Sequence, residues 1–330
     1  MYGTMLLPGM LLTVSAPGGD SQPAPHPDPL TLVQAFIDAC NSGQPEKVAA
    51  FLGPDTWLIR DFGALGAIVA RGREALSVPL PRFAVINLAQ VASDTVAGDL
   101  TVSAPTPSAL AQPLGLHLLV TVTGDRLAYL YGLYDEQAVE VLREYWAAHP
   151  DASPRPTLVQ PPAPTPGQAA LLAFIEACNQ DDLKRVHRVV APDIHLIWDT
   201  RALGARVGIG RSGIAPPSPH FQVLGMNAVA PDIVLADLIV HVSDLPTLPD
   251  PARLRMFATG AHGQLSNCWA VFSEQTVSEL KAYEATHPPA TPLAPPPANG
   301  GSGTRWWLLL LGIGLARLLV GLLLRRSRQR

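Results

Sequence analysis

The chain has 330 residues, enough for about two domains of ordinary size, with 48% hydrophobic and 15% charged residues. That balance excludes a disordered polypeptide and leaves membrane association open. The net charge is −4, and no lysine or arginine run precedes the C-terminal tail, so nucleic-acid binding has no electrostatic footprint.

The N-terminal segment, residues 1–29, opens with an apolar stretch from Met5 to Ala16 broken by Pro8 and continues into a Pro-rich run. Val14-Ser15-Ala16 has the small-residue pattern of a signal-peptide cleavage site, without the positive charge that usually precedes the apolar stretch. Three cysteines, Cys40, Cys178 and Cys268, make no disulfide framework and read as small buried hydrophobes.

Residues 30–149 carry the first of two matched domains. Leu30, Val33, Phe36, Ile37 and Cys40 fall on one face of a helix. A turn at Asn41-Ser42-Gly43 leads to a short helix with Pro45 in its first turn, where a missing N–H costs nothing. Pro54-Asp55 ends that helix and feeds a strand over Thr56–Asp61. Gly72-Arg73-Glu74-Ala75-Leu76 starts another helix, soon stopped by Pro79 and Pro81. Strands are expected at Phe83–Val91, Val96–Ser103, Leu116–Thr123 and Leu127–Tyr134, the last two forming a hairpin at Gly124-Asp125. Asp135 is placed to cap a final helix.

The whole pattern then recurs at a constant offset of 138 residues. Ala-Phe-Ile-Asp-Ala-Cys-Asn at 35–41 returns as Ala-Phe-Ile-Glu-Ala-Cys-Asn at 173–179, Leu58-Ile59-Arg60-Asp61 as Leu196-Ile197-Trp198-Asp199, and Gly72-Arg73 as Gly210-Arg211. Asp99 maps to Asp237, His117 to Arg255 and Asp135 to Ser273. A period this long means two domains rather than a solenoid array. A Pro-rich linker, 150–166, joins them; the second domain spans 167–287 and a Pro/Gly spacer occupies 288–304.

Residues 305–330 close the chain. Trp306–Leu324 is apolar except for Arg317 and long enough for a single membrane-spanning helix of about 28 Å. Trp306 and Trp307 suit the interfacial belt, and Arg325, Arg326, Arg328 and Arg330 form a basic anchor. Four terminal arginines against Arg305 favour a cytoplasmic C-terminus and extracytoplasmic folded domains; the alternative is a tail-anchored protein facing the cytosol. The Gly-rich run, span and arginine cluster also resemble bacterial sorting tails of the Gly-Gly type.

Two helices, a strand, a helix and then an antiparallel sheet, carried by "AFIDACNSGQ", "DTWLIRD", "GREAL" and "VTVTGDRLAYLYGLYDE" and their second copies, resemble the nuclear transport factor 2-like superfamily, in its SnoaL-like and ketosteroid-isomerase-like branch. The resemblance implies two cone-shaped α+β barrel domains, each with a curved antiparallel sheet wrapped around helices and an apolar pocket. It also implies dimerisation through the sheets, here an internal pseudo-dimer of the two repeats.

In the isomerase branch the proton-shuttling base stands where Asp61 and Asp199 stand, twenty residues after the turn asparagines Asn41 and Asn179. Strand alternation puts Trp57, Ile59 and Asp61 on one face, and His195, Ile197 and Asp199 on the matching face of the second copy. If that face lines the pocket, each copy presents a carboxylate among apolar walls, an environment that raises its pKa and suits acid–base work. The expected pocket residues are therefore Phe36, Trp57, Ile59, His117, Phe174, His195, Ile197 and Arg255. The oxyanion donors that such chemistry needs are missing. Phe36 and Phe174 stand where the isomerase has its tyrosine, and the central strands carry His117 and Arg255 in place of a protonated acid. The other reading of Asp61 and Asp199 is structural, as strand-end residues bonded to a loop backbone.

No metal-ligand spacing, nucleophile elbow, phosphate loop or dinucleotide fingerprint occurs, so no metal or cofactor is expected. The sequence therefore points to a membrane-anchored tandem protein that binds an apolar small molecule or a protein partner without catalysis. Two alternatives stand beside it: an isomerase, dehydratase or cyclase using Asp61 or Asp199 as general base, and a pocketless interaction module on a membrane anchor.

Overall fold

The computed structural model describes residues 28–76, 80–103, 113–151, 156–157, 163–214, 218–241 and 251–286. The Met5–Ala16 stretch, the 288–304 spacer and the Trp306–Leu324 span lie outside the described residues. Among the described residues no helix is long and apolar enough to cross a membrane.

Repeat 1 contains α1 (Pro29–Asn41), α2 (Pro45–Ala49), β1 (Leu52–Asp61), β2 (Ala67–Arg71), β3 (Arg82–Ala92), β4 (Thr95–Ser103), β5 (Leu114–Thr123), β6 (Arg126–Tyr134) and α3 (Glu136–Ala148). Repeat 2 contains α4 (Pro166–Asn179), α5 (Leu183–Val189), β7 (Val190–Asp199), β8 (Ala205–Ile209), β9 (His220–Ala230), β10 (Ile233–His241), β11 (Ala252–Ala261), β12 (Gln264–Phe272) and α6 (Glu274–Thr286). Each is an α+β unit with a six-stranded sheet, ordered β2-β1-β6-β5-β4-β3 and β8-β7-β12-β11-β10-β9.

Helix starts follow from local chemistry. Asp28 accepts the Thr31 amide at 3.1 Å with Pro29 behind it, and Thr165 and Gln168 form a reciprocal capping box. Asp135 accepts the Ala138 amide at 2.6 Å, and Ser273 accepts that of Thr276 at 3.2 Å. The apolar stripe of α1, including Val33, Phe36 and Ile37, is buried against its own sheet, as are Phe174, Ile175 and Cys178 of α4. Burial pushes the thiols of Cys40 and Cys178 up to about 12, which disfavours the reactive thiolate.

Three sequence expectations are corrected. β1 begins at Leu52 rather than Thr56, because the chain passes almost directly from α2 into the strand. The helix expected from Gly72 is a single 3-10 turn, Gly72–Ala75, and Leu76 is already extended. Gly72 (φ 63°) and its mate Gly210 (φ 70°) hold the positive φ this turn requires, and a Cβ there would lie 3.2 Å from the Pro54 carbonyl oxygen or 3.0 Å from that of Pro192. The sheet is also not wholly antiparallel. β1 runs parallel to β6, because β3 starts at the far edge and the chain meanders back through β4 and β5.

The asparagines of the repeated turn have a specific task. Asn41 donates to the Phe83 carbonyl at 2.9 Å and accepts its amide at 2.7 Å; Asn179 does the same with Phe221 at 2.8 and 2.6 Å. Each fastens the end of the first helix of its repeat to an edge strand. In β3 the register shifts between Val85 and Asn87, and in β9 between Val223 and Gly225, so Ile86 and Leu224 are bulge residues. Opposite the first bulge, a Cβ on Gly98 would lie 2.3 Å from the Asn87 carbonyl oxygen. Backbone cannot yield that distance cheaply, so Gly98→Ala is expected to cost about 1–3 kcal/mol in chemical denaturation; an unchanged midpoint would mean that β3 moves freely.

Candidate functional site

The two faces of each sheet are covered differently. On one face of β1, Leu58 packs with the helix-side core of repeat 1. On the other, Ile59 is fully buried in a cluster that draws side chains from both repeats, among them Leu119, Tyr131, Ile197, Leu235, Phe257 and Trp269. Phe257 stacks on Trp269 at 4.8 Å, and Tyr131 lies 4.8 Å from Phe257. Trp57, Ile59 and Asp61 share a face, as strand alternation requires, and that face meets repeat 2 rather than an apolar pocket. Its mate with Ile197 and Asp199 meets repeat 1.

Asp61 is wholly buried at the end of β1. Its Oδ2 accepts the Tyr131 hydroxyl at 2.7 Å and Arg255 Nε at 2.9 Å; its Oδ1 accepts Arg255 Nη2 at 3.0 Å and the Gly63 amide at 2.9 Å. Arg255 comes from β11 of repeat 2, and its Nη1 reaches Asp237 on β10 at 2.8 Å. The guanidinium is itself buried; the cost of that burial is outweighed by the charge of Asp61 and its hydrogen bonds. Burial, and then the charge of Asp61, push the Tyr131 phenol well above its ordinary value, so it remains a donor.

The matched site is built with the repeats exchanged. Asp199, at the end of β7, accepts His117 of repeat 1 at 2.8 Å through Oδ2 and the Arg201 amide at 2.7 Å through Oδ1. His117 turns its other ring nitrogen to Asp99 at 2.8 Å. Asp99 is clamped in turn by Asn87, which donates to its carboxylate at 2.8 Å and accepts its amide at 2.9 Å. Arg201 (φ 56°) occupies the left-handed position held by Gly63 (φ 58°) in repeat 1. Its side chain is anchored on the Phe272 carbonyl at 3.1 Å and on Glu274 at 3.3 Å, contacts that oppose the cost of that backbone. Trp269 stands where repeat 1 has Tyr131, and its buried Nε1 has no hydrogen-bond partner among the described residues.

The structure therefore brings Asp61 to Arg255 and Asp199 to His117, with Ile59 and Ile197 in the apolar layer between the repeats. Phe36 and Phe174 lie in the helix-side cores, on the opposite side of the sheets. Trp57 lies under the guanidinium of Arg71 at 5.2 Å. His195 Nδ1 stands 3.7 Å from Asp94, beyond hydrogen-bond reach. Asp99, Asp237 and Asn87 received no role from the sequence, where the retention of Asp99 as Asp237 was the signal available. Tyr131, whose alternation with Leu130 and Leu133 reads as cross-strand packing with a ligand-facing aromatic wall as the alternative, also donates to Asp61.

Chemically, both carboxylates are committed. Among the described residues Asp61 has four donor contacts and Asp199 two, one on each oxygen, and both carboxylates are buried. Aromatic rings pack on the helix side of each sheet. Phe62 stacks on Tyr134 at 4.7 Å and meets Trp146 of α3 edge-on at 5.3 Å in repeat 1, while Trp198 lies against Phe221 and Phe272 in repeat 2. Two open grooves lie on the outside of repeat 1. One, of about 650 Å³, runs between α1 and β3 along Leu30, Gln34, Val85 and Ile86; the other, of about 450 Å³, lies between α1 and α2. Neither is lined by Asp61, Asp199, His117 or Arg255. Among the described residues no group of three His, Cys, Asp or Glu side chains is placed to hold a metal ion.

Arg255→Met leaves Asp61 buried without its cation and is expected to cost about 3–5 kcal/mol. Combining it with Asp61→Asn should cost clearly less than the sum of the two single changes, because the pair is removed together. Strict additivity in urea unfolding would mean that the contact carries no coupling.

No protein-family model matches this sequence, and neither does any curated protein. Solved structures do align, each over about a third of the chain. An NTF2-like protein of unknown function from Cytophaga hutchinsonii has 13% identity over 33% of this chain and 91% of its own, with a TM-score of 0.28. An NTF-2 like protein of unknown function from Burkholderia xenovorans has 16% identity over 33% and 83%, with a TM-score of 0.27. A Mycobacterium tuberculosis protein in complex with estradiol-17beta-hemisuccinate has 13% identity over 34% and 97%, with a TM-score of 0.27. The α+β fold of each repeat is read here from its own strand order and helix packing.

Proposed function

We propose that the folded part of this chain is a non-catalytic, two-lobed binding module, its repeats held face to face as an internal pseudo-dimer by Asp61 and Asp199. The observation that carries the reading is the burial of both carboxylates, each oxygen already in a hydrogen bond, with a principal partner supplied from the opposite repeat. A general base needs a free oxygen within reach of a substrate proton; a buried tie between lobes needs what is observed. The exchange of partners, Asp61 to Arg255 and Asp199 to His117, is the reciprocity expected of a self-complementary contact around a two-fold axis. Because aromatic side chains of the protein itself occupy the helix sides of both sheets, a protein partner suits the module better than an apolar small molecule. We further propose that Trp306–Leu324 tethers the module to a membrane, with the lobes on the extracytoplasmic side.

Two measurements separate this reading from an enzyme. Asp61→Asn and Asp199→Asn, made singly in the full chain, are each expected to lower the melting temperature by roughly 5–10 °C, as a loss of about 2–3 kcal/mol would. An enzyme using Asp199 as base predicts the opposite pattern, with turnover abolished and melting nearly unchanged. For the tether, removal of residues 305–330 should move the protein from the membrane to the soluble fraction; retention in the membrane would overturn that part.

A further inference from the structure

The two inter-repeat ties are matched in geometry but not in chemistry. Arg255 keeps its proton at any pH a protein experiences, whereas the imidazole at the matched position can lose one. His117 presents Nδ1 to Asp99 and Nε2 to Asp199, each at 2.8 Å. Between two ionised carboxylates, which only accept, the ring can bond through both nitrogens only as an imidazolium. Remove one proton and a nitrogen lone pair faces a carboxylate oxygen in a site only 3% exposed, where an unpaired charge is costly.

The charged and polar groups around the ring are few. Asp99 faces it from β4 and Asp199 from β7. Behind Asp99 stand the Asn87 amide of β3 and the positive charge of Arg201, and the β6 neighbour in register is Leu133. We propose that His117 is a pH-sensitive latch between the repeats, closed while the ring is protonated and released from Asp199 on the alkaline side, with the Arg255–Asp61 tie remaining shut as the pivot. This latch rests on the face-to-face packing proposed above.

Electrostatics agree in direction. Burial opposes charge on His117, but hydrogen bonds to Asp199 and Asp99 and the charges of both outweigh it, so its pKa is raised. The hydrogen bond from His117 holds the Asp99 carboxyl below its ordinary value despite burial. A group whose folded pKa lies above its unfolded value of about 6.5 gives its full stabilisation below that pH. The contribution is lost as pH rises through the folded value, so the latch opens upward in pH.

The test uses the full chain in detergent micelles, following ring nitrogen-15 shifts of histidine from pH 5 to 10, with the His117 signal assigned by its loss in His117→Gln. The expected result is a doubly protonated His117 at pH 7.5, above the ordinary histidine range. The melting temperature of the wild type should fall by roughly 5 °C between pH 6.5 and 9, and that of His117→Arg should not. A singly protonated His117 ring at pH 7 overturns the latch, as does a wild-type melting temperature that falls no further than that of His117→Arg. Chemical cross-linking between the repeats at pH 6 separates the two claims. Linked repeats with a neutral His117 sink the latch alone, whereas repeats that never link sink both it and the packing reading.

Discussion

A charge removed from water must find a partner of opposite sign, and in this chain two carboxylates find theirs in the other repeat. Asp61 and Asp199 end matched strands, and the cations that reach them, Arg255 and His117, stand on matched central strands of the opposite repeat. Buried ion pairs contribute little net stability compared with apolar replacements, because both ions lose their hydration. What they impose is geometry. A sheet that slid or turned on its neighbour would part both carboxylates from these partners at once.

The same contacts bear on the chemistry proposed for the carboxylates. An acid–base catalyst needs a carboxylate whose proton affinity is set by the site and whose oxygen is open to a ligand. Here Tyr131, Arg255 and the Gly63 amide use the oxygens of Asp61, while His117 and the Arg201 amide use those of Asp199. The strand-end aspartates do bond a loop backbone two residues on, as the structural reading of the sequence expected; the cross-repeat cation is the part added by the fold. The two copies have diverged around this shared frame. Tyr131 became Trp269, Gly63 became Arg201, and the cation is titratable at one end only.

Much of this was legible in the sequence because it is local. Helix caps at Asp135 and Ser273, the turn at Asn41, the order of the strands and the shared face of Trp57, Ile59 and Asp61 all follow from neighbours a few residues apart. The side of the sheet on which that face lies was not legible. Alternation separates two faces but does not say which one the helices cover, and both faces of β1 are apolar, with Leu58 on one and Ile59 on the other. A sheet buried on both sides therefore gives no polar-out signal to break the tie. The partners of Asp61 were hidden for a related reason. Arg255 is 194 residues away in sequence, and only the repeat-matched pairing of His117 with Arg255 marked the position as polar by design. The five-residue β2 was lost because Ala-Ile-Val-Ala-Arg is too short to carry a period.

The central claim is that the two carboxylates bind the repeats into one cooperative unit. Native-state hydrogen exchange of the full chain, comparing wild type with Asp61→Asn/Asp199→Asn, addresses it most directly, because protection reports the free energy of opening strand by strand. Amides of β5 and β6 are expected to lose protection together with those of β11 and β12 when both ties are cut. Unchanged protection in all four strands would contradict it.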